Sequence, residues 1–164
     1  KEYPSFSCYL LINYRAFAWW PPHLLSVLTF PQQMRGLNFA HNNFTHTVVD
    51  DVDFMRNPII EIVKNLGVSN VKGLTNGKEL VEFFITCVEE KKRINLIILD
   101  VVMPVMSGIE ALRQIRKMDS DVPVVLFTGY NEKAVKEALT LGVKDFLNKP
   151  IIEEQVKKVL RKYL

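Results

Sequence analysis

Five short strand-like runs, separated by stretches of helical spacing, are the feature that most constrains the fold of this chain. Between the runs, apolar residues recur every three or four positions, as they do on one face of a helix. Each run is followed by such a helical stretch, and the runs lie at residues 48–49, 71–74, 94–99, 122–127 and 144–147. Strands that alternate with helices in this order predict an open, doubly wound α/β fold with a five-stranded parallel sheet.

Two of the runs also indicate how the sheet is covered. LIIL at 96–99 and VVLF at 124–127 are apolar without interruption. A strand without alternating polar residues is buried on both faces, which is the usual situation in a parallel sheet. We therefore expect helices on both faces of the sheet.

Residues at the helix boundaries support this division of the chain. Asn76, Ser107 and Asn131 each precede a helical stretch, where their side chains can accept hydrogen bonds from free backbone N–H groups. Gly67 and Gly142 lie where helices should stop. The predicted boundaries therefore agree with local chemistry at five positions.

The start of the first helix is open between two alternatives. If it begins near Asp53, Pro58 falls in its second turn, where the missing N–H and the ring cost about 3 kcal/mol or a kink. If it begins at Asn57, Pro58 occupies the first helical position, where proline is tolerated.

Residues 1–44 differ in composition from the rest of the chain. They hold 10 of the 17 aromatic residues but only four charged ones. Their longest uncharged run, 16–34, contains three prolines and so would be a poor membrane-spanning helix, and no signal peptide pattern is present. We expect an N-terminal segment of unknown role at 1–44, not an independent domain, followed by one domain at 45–164.

Charge and cysteine content narrow the classes of function. The net charge is +3 with no block of like charges, so nucleic-acid binding has no support from composition. Cys8 and Cys87 lie far apart and outside any CxxC spacing, which argues against a zinc site or a disulfide framework. We expect a cytoplasmic protein that binds neither nucleic acid nor membrane.

Polar residues follow four of the five predicted strands, three of them directly. Asp50 and Asp51 follow the first strand, Asp100 the third and Thr128 the fourth, and Lys149 lies just past the fifth. Any one of them could be a simple turn former. Because ligands bind at the carboxyl ends of the strands in such sheets, we expect all five side chains to converge on one edge.

This set of side chains favours phosphoryl chemistry. Three carboxylates held close together repel one another unless a cation compensates, and oxygen ligands suit Mg²⁺. A lysine and a threonine can then hold phosphoryl oxygens. One aspartate would be the nucleophile and would form an aspartyl phosphate.

Four motifs carry a resemblance to a known family. VVDD at 48–51, ILDVVMPVMSG at 98–108, LFTGY at 126–130 and DFLNKP at 145–150 resemble, in this order, the motifs of response-regulator receiver domains, the phospho-acceptor half of two-component signalling. The resemblance covers residues 45–164. It implies a flavodoxin-like sheet with strand order 2-1-3-4-5.

The resemblance also assigns roles at the acidic residues. It implies that Asp100 is phosphorylated and that Asp51, Asp100 and the backbone carbonyl of Val102 bind Mg²⁺. Asp50 would contribute to metal binding through water.

Further roles concern the switch and the partners. Thr128 and Lys149 would hold the phosphoryl group, and the peptide bond before Pro150 would be cis. Thr128 and Phe146 would form the switch, the pair of side chains that responds to phosphorylation. The phosphodonor would be a histidine kinase or a histidine phosphotransfer protein, and a downstream protein would bind about residues 131–163.

The resemblance further implies a signalling receiver that catalyses only its own phosphorylation and dephosphorylation. Because the chain ends at Leu164, after the last helix, we expect its output to be protein–protein contact rather than a DNA-binding or enzymatic domain. We expect a monomer or weak dimer.

Two other functions stay open at this point. DVD at 51–53 follows an apolar run, as does the nucleophile motif of haloacid-dehalogenase-type phosphatases, which also use Mg²⁺, a lysine and a threonine or serine. A degenerate receiver that binds partners without being phosphorylated is the second alternative, because the first strand, FTHTVV, is unusually polar. Within that strand we expect His46 to be a partly exposed residue rather than a phosphate carrier.

Overall fold

A computed structural model describes residues 44–129 and 132–164 of the chain. They form a parallel five-stranded sheet in the order β2-β1-β3-β4-β5, which confirms the predicted architecture. Residues 1–43 of the predicted N-terminal segment, and the predicted cap Asn131, lie outside the described residues. The division of the chain at residue 44 therefore stays a prediction.

Strands and helices alternate strictly along the described chain. The strands are β1 Phe44–Val49, β2 Val71–Leu74, β3 Arg93–Asp100, β4 Val124–Thr128 and β5 Asp145–Asn148. The helices are α1 Asp53–Asn65, α2 Gly77–Glu89, α3 Gly108–Met118, α4 Glu132–Thr140 and α5 Glu153–Leu160. None of the described helices combines the length and the apolar character that crossing a bilayer requires.

The sheet separates two hydrophobic cores. One core packs α1 and α5 against one face of the sheet, and the other packs α2, α3 and α4 against the opposite face. Within β3, Ile97 and Leu99 belong to the second core, while Leu96 and Ile98 belong to the first. Because successive side chains of a strand point to opposite faces, burial on both faces explains the uninterrupted apolar run.

Strand register brings the polar strand ends to one edge. Val49 pairs with Leu99, and Asp100 pairs with Phe127 one residue further along. Thr128, the last residue of β4, pairs with Asn148, the residue before Lys149. The first, third, fourth and fifth strands therefore end at the same level.

The predicted helix boundaries at four described positions are confirmed. Asn76 accepts a hydrogen bond from the backbone N–H of Glu79 at the start of α2, and Ser107 accepts one from Glu110 at the start of α3. Gly67 and Gly142 follow the ends of α1 and α4 with φ of +95° and +78°. These left-handed conformations favour glycine because a Cβ would be strained there.

Helix α1 begins at Asp53, so the alternative start at Asn57 is wrong. Pro58 lies inside the helix, where it cannot donate to the carbonyl of Phe54. Phe54, in the first turn, is 80% exposed, so the hydrogen bond that Pro58 removes from the second turn belongs to the exposed start of the helix.

The prediction that His46 is partly exposed is also wrong. His46 is only 7% exposed, and neither ring nitrogen has a hydrogen-bond partner in the described part of the chain. Its neighbour Thr47 is fully buried, and its hydroxyl likewise has no recorded partner. Strand β1 is paired on both sides, by β2 and β3, and helices cover both sheet faces. The position of β1 inside the sheet therefore buries its polar side chains, His46 and Thr47, as well.

Candidate functional site

Three aspartates form an acidic cluster at the carboxyl edge of the sheet. One carboxylate oxygen from each of Asp50, Asp51 and Asp100 lies within 4.8 Å of the others. Asp50 is completely buried and Asp100 is 4% exposed, whereas Asp51 is exposed. The acids that follow the first and third strands therefore lie close together, as the sequence predicts.

Lys149 joins the two buried carboxylates of this cluster. Its Nζ donates to Oδ2 of Asp50 and to Oδ2 of Asp100, both at 2.8 Å. Burial alone would lower the pKa of Lys149, but its hydrogen bonds and charge interactions with the two aspartates outweigh burial and raise it. The ammonium also lies 5.0 Å from the centroid of the Phe127 ring, within reach of a cation–π interaction.

The carboxylate of Asp100 is held through both of its oxygens. Oδ1 accepts a hydrogen bond of 2.7 Å from the backbone N–H of Val101, and Oδ2 accepts the bond from Lys149. Burial raises the pKa of Asp100, and the nearby charge of Asp50 adds to this, while Lys149 opposes it. The Asp100 carboxylate is therefore held rigidly and is partly desolvated.

The remaining predicted residues lie on the neighbouring strands. Thr128 is buried at the end of β4, and its carbonyl accepts a hydrogen bond of 3.1 Å from the backbone N–H of Lys149. Phe146 is half-buried in β5 and packs against the core formed with α2, α3 and α4. The Lys149–Pro150 peptide is cis. Thr128 thus borders the acidic cluster, whereas Phe146 lies further back along its strand.

The loop between β3 and α3 carries Val102, whose side chain is 69% exposed. Two residues after Pro104, the N–H of Met106 donates to the Pro104 carbonyl at 2.7 Å, which closes a three-residue turn. Val105, at the centre of this turn, has φ of 67° and is 79% exposed. A β-branched residue in the left-handed region is strained, so this loop holds a conformation that its own sequence disfavours.

Two glycines hold that loop against the rest of the domain. The N–H of Gly108 donates to the carbonyl of Val101 at 3.0 Å, and a Cβ at Gly108 would lie only 1.9 Å from the carbonyl oxygen of Asp100. The N–H of Gly77, at the start of α2, donates to the carbonyl of Met106 at 3.1 Å. The close approach of backbone to backbone therefore fixes both ends of the loop.

Two contributors to the site were not identified from the sequence. Arg56 of α1 donates from Nη1 to the backbone carbonyl of Asp50 at 2.6 Å. Gly108 lets the start of α3 approach the carbonyl oxygen of Asp100, because it has no Cβ. From the sequence, Gly108 enters only as the last residue of the motif at 98–108, and its close approach to β3 is a packing distance that the motif does not reveal. No sequence pattern marks Arg56, because its partner is a main-chain oxygen.

The residues of the acidic cluster fit a divalent cation. When ionised, three carboxylates beside one ammonium leave two uncompensated negative charges. All the side-chain ligand atoms are oxygens, which is the ligand type that Mg²⁺ prefers. Asp51 is the most accessible carboxylate of the cluster, because it is exposed and has no hydrogen bond to any described side chain.

Comparison with known families gives a match across most of the chain. The family model described as the response regulator receiver domain matches residues 47–161. The matched range contains all the strand-end residues of the site.

Two relatives illustrate the similarity in sequence. The chemotaxis protein CheY of Thermotoga maritima is 32% identical over 116 residues, which cover 70% of this chain and 92% of that protein. Two-component response regulator 24 of Arabidopsis thaliana is 32% identical over 127 residues, which cover 76% of this chain and 87% of that protein.

Solved structures show the same fold. A chain of the CheX-CheY-BeF3-Mg+2 complex from Borrelia burgdorferi superimposes with a TM-score of 0.66 at 27% identity, covering 80% of this chain and 98% of that one. The receiver domain of the histidine kinase CKI1 from Arabidopsis thaliana, complexed with Mg²⁺ and BeF3⁻, gives a TM-score of 0.62 at 28% identity, with coverage of 73% and 88%.

Proposed function

Because this chain belongs to the response regulator receiver domain family, we propose that Asp100 accepts a phosphoryl group from the phosphohistidine of a histidine kinase or of a histidine phosphotransfer protein. The observation that carries the proposal is the ammonium of Lys149, which lies 2.8 Å from both buried carboxylates, Asp50 and Asp100. This arrangement provides a nucleophile and a cation at the point where phosphoryl charge develops.

The transfer forms a bond between a carboxylate oxygen of Asp100 and phosphorus. At the same time the bond between phosphorus and the donor nitrogen breaks, and the donor imidazole leaves with the electron pair. Asp51, Asp100 and the carbonyl of Val102 would bind Mg²⁺, with Asp50 contributing through water. When bound, the metal neutralises charge on the phosphoryl oxygens. Lys149 holds Asp100 in place before transfer and gains a phosphoryl oxygen as a partner after it.

The switch belongs to the same proposal. A phosphoryl group adds close to two negative charges at Asp100, and Thr128 is the buried hydroxyl donor at the neighbouring strand end. Movement of Thr128 toward the phosphoryl group would free space into which Phe146 can turn. Phosphorylation would thus favour one of two conformations of the face formed by about residues 131–163, which contains α4, β5 and α5.

The partners follow from this switch. The donor protein contacts the edge around Asp100, and a downstream protein reads the face at about 131–163. In this proposal the domain is a cytoplasmic signalling receiver, monomeric or weakly dimeric, that catalyses only its own phosphorylation and dephosphorylation.

The phosphatase alternative loses support at Asp53. For DVD to act as such a nucleophile motif, Asp53 would have to lie beside Asp51 at the reacting centre. Here Asp53 lies in α1, its side chain is 77% exposed, and it pairs with Arg56. A degenerate receiver stays open to test, and the same experiment separates all three functions.

The test is incubation of the full chain with Mg²⁺ and acetyl phosphate, read by intact mass. The proposal predicts the gain of one phosphoryl group, which is lost on Asp100→Asn. Asp121→Asn removes a carboxylate from the loop between α3 and β4, at the opposite edge of the sheet, and should leave the gain unchanged.

Three other results would contradict the proposal. Labelling that survives Asp100→Asn would place the nucleophile elsewhere. Steady release of phosphate that depends on Asp51 would indicate a phosphatase, and the absence of any mass gain in the wild type would indicate a degenerate receiver.

A further inference from the structure

Arg56 is a charged residue that points inward from the first turns of α1. Its side chain is only 12% exposed. The guanidinium donates from Nη1 to the carbonyl oxygen of Asp50 at 2.6 Å and from Nη2 to the carboxylate of Asp53. Because its two nitrogens hold two different acceptors, the guanidinium is fixed in orientation as well as in position.

Strand β2 leaves room for this side chain at Gly73. A Cβ at Gly73 would lie 3.4 Å from Nε of Arg56, 3.5 Å from its Cδ and 3.0 Å from Cδ1 of Ile60. The side chain of Arg56 therefore passes over the main chain of β2 at the one glycine of that strand. A Cβ at position 73 would contact Arg56 at van der Waals distance and would press more closely on Cδ1 of Ile60.

The bond from Arg56 fixes the peptide unit that leads into Asp51. A peptide bond is planar, so holding the carbonyl oxygen of Asp50 also sets the N–H and the Cα of Asp51. The carboxylate of Asp50 is independently fixed, because Oδ1 accepts from the N–H of Val52 at 2.9 Å and Oδ2 accepts from Lys149.

Asp51 has no such support of its own. Its side chain is exposed, and its carboxylate accepts no hydrogen bond within residues 44–129 and 132–164. Its direction therefore depends on the main chain. The geometry points to Arg56 as a positioning residue, which holds the Asp50–Asp51 peptide so that Asp51 faces the acidic cluster and completes its divalent-cation site.

This inference rests on the proposed function, because it assumes that the cluster binds Mg²⁺. Groups that orient a metal ligand typically contribute about 10-fold or more to metal affinity. Electrostatics alone predicts the opposite sign, since the positive charge of Arg56 repels a cation. The direction of the change in affinity therefore separates positioning from simple charge.

The experiment is isothermal titration calorimetry of the full chain with MgCl₂. Arg56→Lys keeps the charge but replaces the planar guanidinium, whose separate nitrogens fix its orientation, with a single ammonium on a flexible stem, and Arg56→Ala removes both donors. We expect each variant to bind Mg²⁺ about 10-fold more weakly than the wild type. Arg113→Ala is the matched control, because it removes a guanidinium and its ion pair with Glu137 on α3 and α4, away from the cluster. Its affinity should equal that of the wild type.

One further comparison keeps the inference testable if Arg56→Ala folds poorly. In an Asp51→Asn background, Arg56→Lys should cause no additional loss, because the ligand that it positions is already gone.

The outcomes distinguish this inference from the proposed function. Unchanged affinity in Arg56→Lys, or tighter binding in Arg56→Ala, would overturn the role of Arg56 and leave the proposed function intact. A wild type that gives no heat of Mg²⁺ binding would overturn both.

Discussion

Replacement of Gly108 by alanine tests how closely the nucleophile depends on the packing of the loop that follows it. An alanine Cβ would lie 1.9 Å from the carbonyl oxygen of Asp100 and 3.1 Å from Cγ of Leu99. Real Cβ contacts are essentially never shorter than 3.0 Å. The start of α3 and the end of β3 would therefore have to separate by about 1 Å, a displacement on the scale that costs on the order of 100-fold in reaction rate.

The assay is the initial rate of phosphoryl gain from acetyl phosphate with Mg²⁺, followed by intact mass. We expect Gly108→Ala to react about 100-fold more slowly and to lose about 1–3 kcal/mol of unfolding free energy through overpacking. Circular dichroism would establish that the variant is folded under the assay conditions. Gly129→Ala is the control, since its Cβ would meet no atom within 4 Å and its rate should be unchanged. A folded Gly108→Ala that reacts at the wild-type rate would refute the reasoning.

Three further predictions concern strain and buried polar groups. Thr47→Val keeps the side-chain shape nearly constant but removes a buried hydroxyl that has no hydrogen-bond partner among residues 44–129 and 132–164. Urea unfolding should show a gain of about 1 kcal/mol in unfolding free energy, and a loss would mean that the hydroxyl has a partner. Val105→Asn places a residue that tolerates positive φ at an exposed position and should stabilise by about 1 kcal/mol in the same assay, whereas no change would show that Val105 is unstrained. Burial lowers the pKa of His46 below its ordinary 6.5. As pH falls, the unfolded chain therefore binds a proton at His46 before the folded chain does. The contribution of His46 to the unfolding free energy should be constant above pH 6.5. Below pH 6.5 it should decline by up to about 1.4 kcal/mol per pH unit, until the pH reaches the pKa of His46 in the folded protein. His46→Phe should lack this decline, and an unchanged acid profile in that variant would contradict the assignment.

The sequence was sufficient to predict the sheet and the convergence of its polar ends. Once strands alternate with helices, parallel pairing is nearly unavoidable, and residues such as Asp50 and Asp100, each following an apolar run, must then meet at one edge. The prediction of Lys149 succeeded for the same reason, since its position one residue beyond β5 brings it to that edge.

Features that depend on packing distance were not predictable in this way. His46 was expected to be partly exposed because the first strand is polar, yet the position of β1 between β2 and β3 buries it. Arg56 reaches a main-chain oxygen across a neighbouring strand, and nothing in its sequence spacing marks that partner. The start of α1 at Asp53 depends on how well an exposed turn tolerates Pro58, which a periodic pattern does not reveal.

The most direct test of the central claim is to identify the residue that carries the phosphoryl group. Borohydride reduces an acyl phosphate to an alcohol, so treatment of the labelled protein, followed by peptide mass mapping, marks the modified side chain. The account predicts homoserine at position 100 and at no other aspartate. Reduction at Asp51 or Asp50, or a phosphoryl group on His46, would contradict it.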